Sequence, residues 1–205
     1  MDSEEWRMEE NVFGQMASRY DTEERIELAQ VITEEVRQAL GNGRTKSLID
    51  YGSGTGLVGL ELTDLVKSVL LVDSSEQMLE VAKGKIARRD IANAEVLYSD
   101  FTTETPELKA DIVLMSLVLL HIPDTDKILR KLHEVLNEGG QLIIVDFDKH
   151  HEVSHPKVHN GFEHEELKNR LSHAGFVPLE IRTFHHGERI FMNRDASMFI
   201  SISSK

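Results

Sequence analysis

Between Leu48-Ile49 and Leu57 the chain runs Asp50-Tyr51-Gly52-Ser53-Gly54-Thr55-Gly56, with glycine at every second position of a turn. An apolar run that ends in an acid reads as a strand, and the apolar segment 57–65 that follows the turn reads as a helix. Glycine is used where backbone takes positive φ or comes close to a ligand. A strand feeding a helix through such a turn commits the chain to a βα unit. It also presents the free N–H groups of a helix N-terminus to a negatively charged ligand group. The dinucleotide pattern G-x-G-x-x-G does not fit, because the third glycine arrives one residue early, at Gly56, and position 57 is Leu.

The rest of the chain repeats the unit. Asp21 or Thr22 is placed to cap a helix whose apolar positions Ile26, Ala29, Ile32, Val36 and Leu40 keep helical spacing, and Gly41-Asn42-Gly43 stops it. Ser47–Tyr51 is the first strand and Ser68–Asp73 the second, continuous and apolar as buried parallel strands are. Ser74-Ser75-Glu76-Gln77 opens a helix that buries Met78, Val81, Ala82 and Ile86. Ala94–Tyr98 and Asp111–Leu117 are further strands. A helix from Pro123-Asp124 carries Ile128, Leu132, Val135 and Leu136, and Gly139-Gly140 ends it before a fifth strand, Gln141–Phe147. Glu163–Ala174 is a last helix, and Phe176–Phe184 and Arg189–Ser201 are two strands joined at His185-His186-Gly187. Alternating strands and helices predict an α/β fold, a doubly wound, mostly parallel, seven-stranded sheet, and the closing strand pair with no helix between departs from pure alternation.

Charge narrows the partners. With 23 Lys+Arg against 36 Asp+Glu the formal charge is −13, so phosphate backbones and anionic membrane surfaces are repelled, and neither nucleic acid nor a membrane is an expected partner. There is no cysteine, which excludes thiolate metal sites, disulfides and methyl transfer through a cysteine adduct, and fits a cytoplasmic location. The start, residues 1–10, is acidic and lacks an apolar leader core, and the run Ile112–Leu120 is too short to span a bilayer. At 205 residues one domain is expected, residues 1–22 forming a helical lid segment and 23–205 the core. Oligomeric state is not legible.

Ligands of open parallel sheets sit beyond the carboxyl ends of the strands. Those ends carry Asp50 with the glycines, Asp73, Ser99-Asp100-Phe101, and Ser116 followed by Leu117-Val118-Leu119-Leu120-His121. An ionised carboxylate only accepts hydrogen bonds, which suits Asp73 to a ligand's hydroxyls, and Asp73-Ser74-Ser75 also stands where a helix cap would, although the spacing from the glycine turn favours the ligand role. Asp100 reads either as a ligand acceptor or as a loop cap.

The G-x-G-x-G turn behind Asp50 resembles the first motif of class I S-adenosylmethionine-dependent methyltransferases. Val72-Asp73-Ser74-Ser75-Glu76-Gln77-Met78-Leu79 resembles their second motif, and residues 115–124 a fourth motif of the small-molecule type. Phe13-Gly14-Gln15-Met16-Ala17-Ser18-Arg19-Tyr20-Asp21 is similar to the F-D-x-x-A-x-x-Y-D entry segment of the ubiquinone/menaquinone-biosynthesis group, with Gly14 in place of the first Asp. The resemblance runs from about Phe13 to the C-terminus and includes the closing strand pair, which it implies is an antiparallel hairpin, so that the final strand of a Rossmann-like methyltransferase sheet is antiparallel. It implies S-adenosylmethionine as cofactor and direct in-line transfer of its methyl group to a small molecule. Asp50, Gly52, Ser53, Gly54 and Gly56 then wrap the amino-acid end and Tyr20 closes over it. Asp73 meets the ribose, Ser74 also binds the cofactor, Met78 packs near the adenosine, and Asp100 with the Phe101 N–H meets the adenine. Ser116 is among the cofactor-binding residues, and His121, beside the methyl-transfer site, is either a general base or a residue that only shapes the pocket or bonds the cofactor. Met78 as plain core and Tyr20 as a packed aromatic are the alternatives at those positions.

Asn-Pro-Pro-Tyr and Asp-Pro-Pro-Tyr are absent after the fourth strand, which also points to a small-molecule acceptor. His151, His155 and His159 are spaced like metal ligands and Asp146 and Asp148 add oxygens, but Pro156 interrupts the spacing. A solvated loop is the expected reading, with no metal and with His159 a pocket candidate. Two rivals stay open. A nicotinamide-dependent oxidoreductase is disfavoured by Leu57 and by the closing strand pair, and a non-catalytic cofactor-binding protein on the same fold would bind without transferring.

Overall fold

The computed structural model describes residues 19–103 and 107–205, so the expected lid helix lies, up to residue 18, outside the described residues. The chain forms α1 (Glu23–Leu40), β1 (Gly43–Tyr51), β2 (Val66–Asp73), α2 (Glu76–Arg89), β3 (Ala94–Tyr98), β4 (Ala110–Ser116), α3 (Thr125–Val135), β5 (Leu136–Phe147), α4 (His164–His173), β6 (Val177–Phe191) and β7 (Arg194–Ser204). The seven strands make one sheet in the order β3-β2-β1-β4-β5-β7-β6. All pairs are parallel except those of β7, which runs antiparallel to both β5 and β6.

This order sets the site. From β1 the chain winds outward through β2 to β3, and from β4 it winds the opposite way to β5. The reversal between β1 and β4 opens a crevice at their carboxyl ends. The register Asp50↔Leu71 and Asp50↔Leu114 holds the ends of the three central strands level. Their interior is dry: Leu71, Val72, Val113, Leu114, Met115, Ile143, Ile144 and Val145 are all fully buried.

Helix ends follow their sequence signals. Thr22 caps α1 and Ser75 caps α2, each accepting the backbone N–H three residues on, and Asp124 caps α3 in the same way. Two departures have physical causes. After the glycine turn, the expected α-helix is only a 3-10 turn, Gly59–Leu62, flanked by irregular turns. Gly59 packs directly on Asp50 there, and a short, tight turn replaces a regular helix. The β6–β7 turn is at Met192-Asn193, not at His185-Gly187. Both turn residues have positive φ, 49° and 61°, the geometry whose twist matches a two-residue hairpin. Gly187 instead begins a register shift that ends at Phe191.

Methionine at 192 is an unfavourable occupant of a left-handed position, and at 45% exposure it is only partly covered. Met192→Asn is expected to raise stability by about 1 kcal/mol, read as a shift in the urea midpoint at unchanged slope.

Candidate functional site

Four strand ends meet at the crevice, and the glycine turn is its floor. Gly52, Gly54 and Gly56 have φ of 72°, 54° and 77°. The turn is hung on β2 by its own N–H groups: Gly52 and Ser53 both donate to the Val72 carbonyl, at 2.8 and 3.0 Å. A side chain on Gly52 would start 2.4 Å from a methyl of Val118, so the segment after β4 lies against the turn. Gly59 is a fourth necessary glycine, since a Cβ there would lie 2.5 Å from the Asp50 carboxylate and 2.7 Å from Leu71.

Asp50 is 1% exposed, and its Oδ2 accepts the Gly59 N–H at 3.1 Å. Burial raises its carboxyl to about 7, against the Gly59 hydrogen bond, with the Asp73 charge adding to the rise. Its Oδ1 and the hydroxyl of Ser53 are buried without a hydrogen-bond partner among the described residues. Buried polar atoms are normally paired, so two orphans beside one glycine turn mark a place for a polar ligand group.

Asp73 joins two elements. Its Oδ2 accepts the Gly54 N–H at 2.7 Å and its Oδ1 the Ser75 N–H at 2.8 Å, binding the glycine turn to the start of α2. Burial raises its carboxyl, opposed by the N–H groups of Gly54, Ser75 and Ser74. The capping and ligand readings of this residue are therefore compatible, because each carboxylate oxygen has a second lone pair. Asp100 accepts the N–H and hydroxyl of Thr102 at 2.8 and 2.7 Å. Phe101 is fully buried and stacks on Tyr51 at 4.6 Å, which leaves only its backbone to serve a ligand. Burial pushes the Tyr51 hydroxyl up, helped by the Asp100 charge and opposed by the Phe101 N–H. Tyr51 thus belongs to this corner, a role its position between Asp50 and Gly52 does not advertise.

Tyr20 lies over the turn, its ring edge 3.8 Å from where a Gly54 Cβ would stand, with the Arg25 guanidinium 4.1 Å over its centroid. Burial raises its hydroxyl. Met78 is 2% exposed and its N–H is capped by Ser75, so it packs inside.

The β4 end has a different support. Leu117 takes φ 56° directly after Ser116, an uncommon conformation for a branched side chain. The segment then turns through a 3-10 helix, Leu119–His121, which leaves His121 exposed on the rim. Asp146, fully buried on β5, accepts the Leu120 N–H at 3.1 Å and the Phe147 N–H at 2.8 Å, and burial raises its carboxyl to about 7. His159 adds a second tie, its N–H donating to the Leu120 carbonyl at 2.8 Å and its ring bonding the Ile122 carbonyl at 2.9 Å. His155 takes the Lys157 N–H, and Asp148 pairs with His164 at 2.7 Å. Among the described residues no three metal-ligating side chains gather. No helix among them is long and apolar enough to cross a membrane.

The model of a family described as a methyltransferase domain matches residues 43–186. The chain is 29% identical over 161 residues to the ubiquinone/menaquinone biosynthesis C-methyltransferase of Pasteurella multocida, covering 72% of this chain and 58% of the relative. The chain thus spans little more than half the length of that relative. Its fold is similar to a putative methyltransferase from Bacillus halodurans (TM-score 0.73, 17% identity, 84% of this chain and 98% of that one). It is also similar to a SAM-dependent methyltransferase from Aquifex aeolicus (TM-score 0.67, 22% identity, 92% and 97%).

Asp50 carries a pH signature. Its folded-state value is raised to about 7, so between about pH 4 and 7 the folded protein holds a proton that the unfolded chain releases. The stability linked to that proton is present at low pH and lost as pH rises through 7. Asp50→Asn removes the buried charge, so relative to the unmodified protein the variant should gain stability on going from pH 5 to pH 8. The gain is about 1.4 kcal/mol per pH unit up to about pH 7 and levels off above it. Urea unfolding of both proteins at the two pH values measures it.

Proposed function

The chain belongs to the methyltransferase-domain family, and from that premise we propose that it transfers a methyl group from S-adenosylmethionine directly to a small-molecule acceptor. The observation that carries the reading is the pair of orphaned buried acceptors, Asp50 Oδ1 and Ser53 Oγ, beside a turn of three positive-φ glycines. An amino-acid end brings an ammonium and a carboxylate to such a place. Asp50 and Ser53 would take the ammonium, and the backbone of Gly52, Gly54 and Gly56 leaves room for close approach. Asp73 would accept from the ribose hydroxyls while keeping its two backbone N–H groups. Asp100 would meet the adenine edge beside Phe101, whose N–H is turned to the Tyr51 hydroxyl, and Ser74 and Ser116 flank the site.

The cofactor supplies an activated sulfonium methyl when bound. The protein's part is therefore alignment and exclusion of water. Tyr20 covers the Gly54 end of the site. Asp146 and His159 fix the backbone of the segment that carries His121, through Leu120. In this reading His121, exposed on the rim, meets the acceptor and takes its proton if the nucleophile must lose one. Three features favour a small-molecule acceptor: the net charge of −13, the missing Asn-Pro-Pro-Tyr sequence, and the similarity to the ubiquinone/menaquinone biosynthesis C-methyltransferase of Pasteurella multocida. The acidic surface and the absence of cysteine also suit action in the cytoplasm, away from nucleic acid and membranes.

Calorimetric titration with S-adenosylmethionine, S-adenosylhomocysteine and NAD tests the reading. Binding of the first two and not the third is expected, and binding of NAD alone would overturn it. Asp73→Ala should weaken S-adenosylhomocysteine by about ten- to hundredfold, the loss of hydrogen bonds to a charged acceptor worth about 1.5–3 kcal/mol. Because the same oxygens hold Gly54 and Ser75, the variant should also melt at a lower temperature.

A further inference from the structure

Lys85 projects from α2 toward the glycine turn and closes a ring of three residues far apart in sequence. Its Nζ donates to the Thr55 carbonyl at 2.9 Å and the Thr55 hydroxyl at 3.1 Å, and it pairs with Asp21 Oδ2 at 2.7 Å. The Thr55 hydroxyl in turn donates to Asp21 Oδ1 at 2.5 Å. All three ammonium protons are used, and the hydroxyl both accepts and donates. Thr55 is 1% exposed and the Lys85 side chain 15%, low for lysine.

Two neighbours give the ring a purpose. Thr55 lies between Gly54 and Gly56, so the ring grips the turn itself. Asp21 follows Tyr20, whose ring lies over Gly54. From the other side, Arg25 stacks on the Tyr20 ring and donates to the Tyr20 carbonyl at 3.0 Å. Tyr20 is thereby held between two anchors, one on α1 and one shared by the turn and α2.

We infer that Lys85 is a positioning residue, which acts through Asp21 and Thr55 to hold Tyr20 over the amino-acid end of the bound cofactor. The inference rests on the cofactor reading above. Breaking the clasp frees Tyr20 to swing from Gly54, so the bound molecule dissociates faster while the sheet and its strand-end acids stay in place. A purely structural role for the clasp would instead lower stability without acting through Tyr20.

The test is the affinity and dissociation rate of S-adenosylhomocysteine for the unmodified protein, Lys85→Met, Tyr20→Ala and the double variant, each with its melting temperature. Lys85→Met should weaken binding about tenfold, mainly through faster dissociation, consistent with loss of hydrogen bonds that involve charged groups. In the Tyr20→Ala background the same substitution should change affinity less than twofold, because nothing is left to position. Losses that add in the double variant, or an unchanged affinity of Lys85→Met, would overturn the inference while leaving the cofactor reading intact. Failure of the unmodified protein to bind S-adenosylhomocysteine would overturn both. If Lys85→Met does not fold, Asp21→Asn, altered at the more exposed end of the pair, is measured in its place against the same expectations.

Discussion

One carboxylate organises the site. Asp73 ends β2 and takes the N–H of Gly54 on one oxygen and that of Ser75 on the other. The first bond fixes the glycine turn after β1 and the second fixes the first turn of α2, which carries Lys85. Without it, the glycine turn would keep its bonds to the Val72 carbonyl but lose its tie to the start of α2. With it, the turn, the helix cap and the acceptor oxygens stand in one rigid corner at the point where the sheet reverses direction.

That corner is costly to build. Asp50 and Asp146 are buried carboxyls, and burial raises both to about 7. Each acid accepts backbone N–H groups from a loop that lines the crevice, Gly59 for Asp50 and Leu120 for Asp146. The positive φ of Leu117 adds strain at a third strand end. Unfavourable features concentrated on one edge of a sheet, over an apolar and fully buried interior, are what a binding site looks like when stability elsewhere sustains it.

Regular elements were legible where a periodic apolar pattern met a capping residue. Ala94–Tyr98 agrees at both ends, and of the two capping candidates, Asp21 and Thr22, it is Thr22 that caps α1. The strand-end acids were legible because parallel topology alone places Asp50, Asp73 and Asp100 together. The hairpin turn was hidden because Gly187 carries the usual turn signal, while Met192 takes a left-handed conformation that its type disfavours. The apolar segment 57–65 after the glycine turn reads as a helix from sequence, yet Gly59 must press against Asp50, a contact no local pattern shows. Tyr51 and the Asp21–Thr55–Lys85 ring had no local signal, since their partners are brought together only by the tertiary fold.

The central claim is that the glycine turn and the strand-end acids form one cofactor site. A crystal structure of the protein grown with S-adenosylhomocysteine tests it most directly. The account predicts the amino group against Asp50 and Ser53, the ribose hydroxyls on Asp73 and the adenine beside Asp100, with Tyr20 over the amino-acid end. Density for the ligand anywhere other than this crevice, or with the ribose away from Asp73, would contradict it.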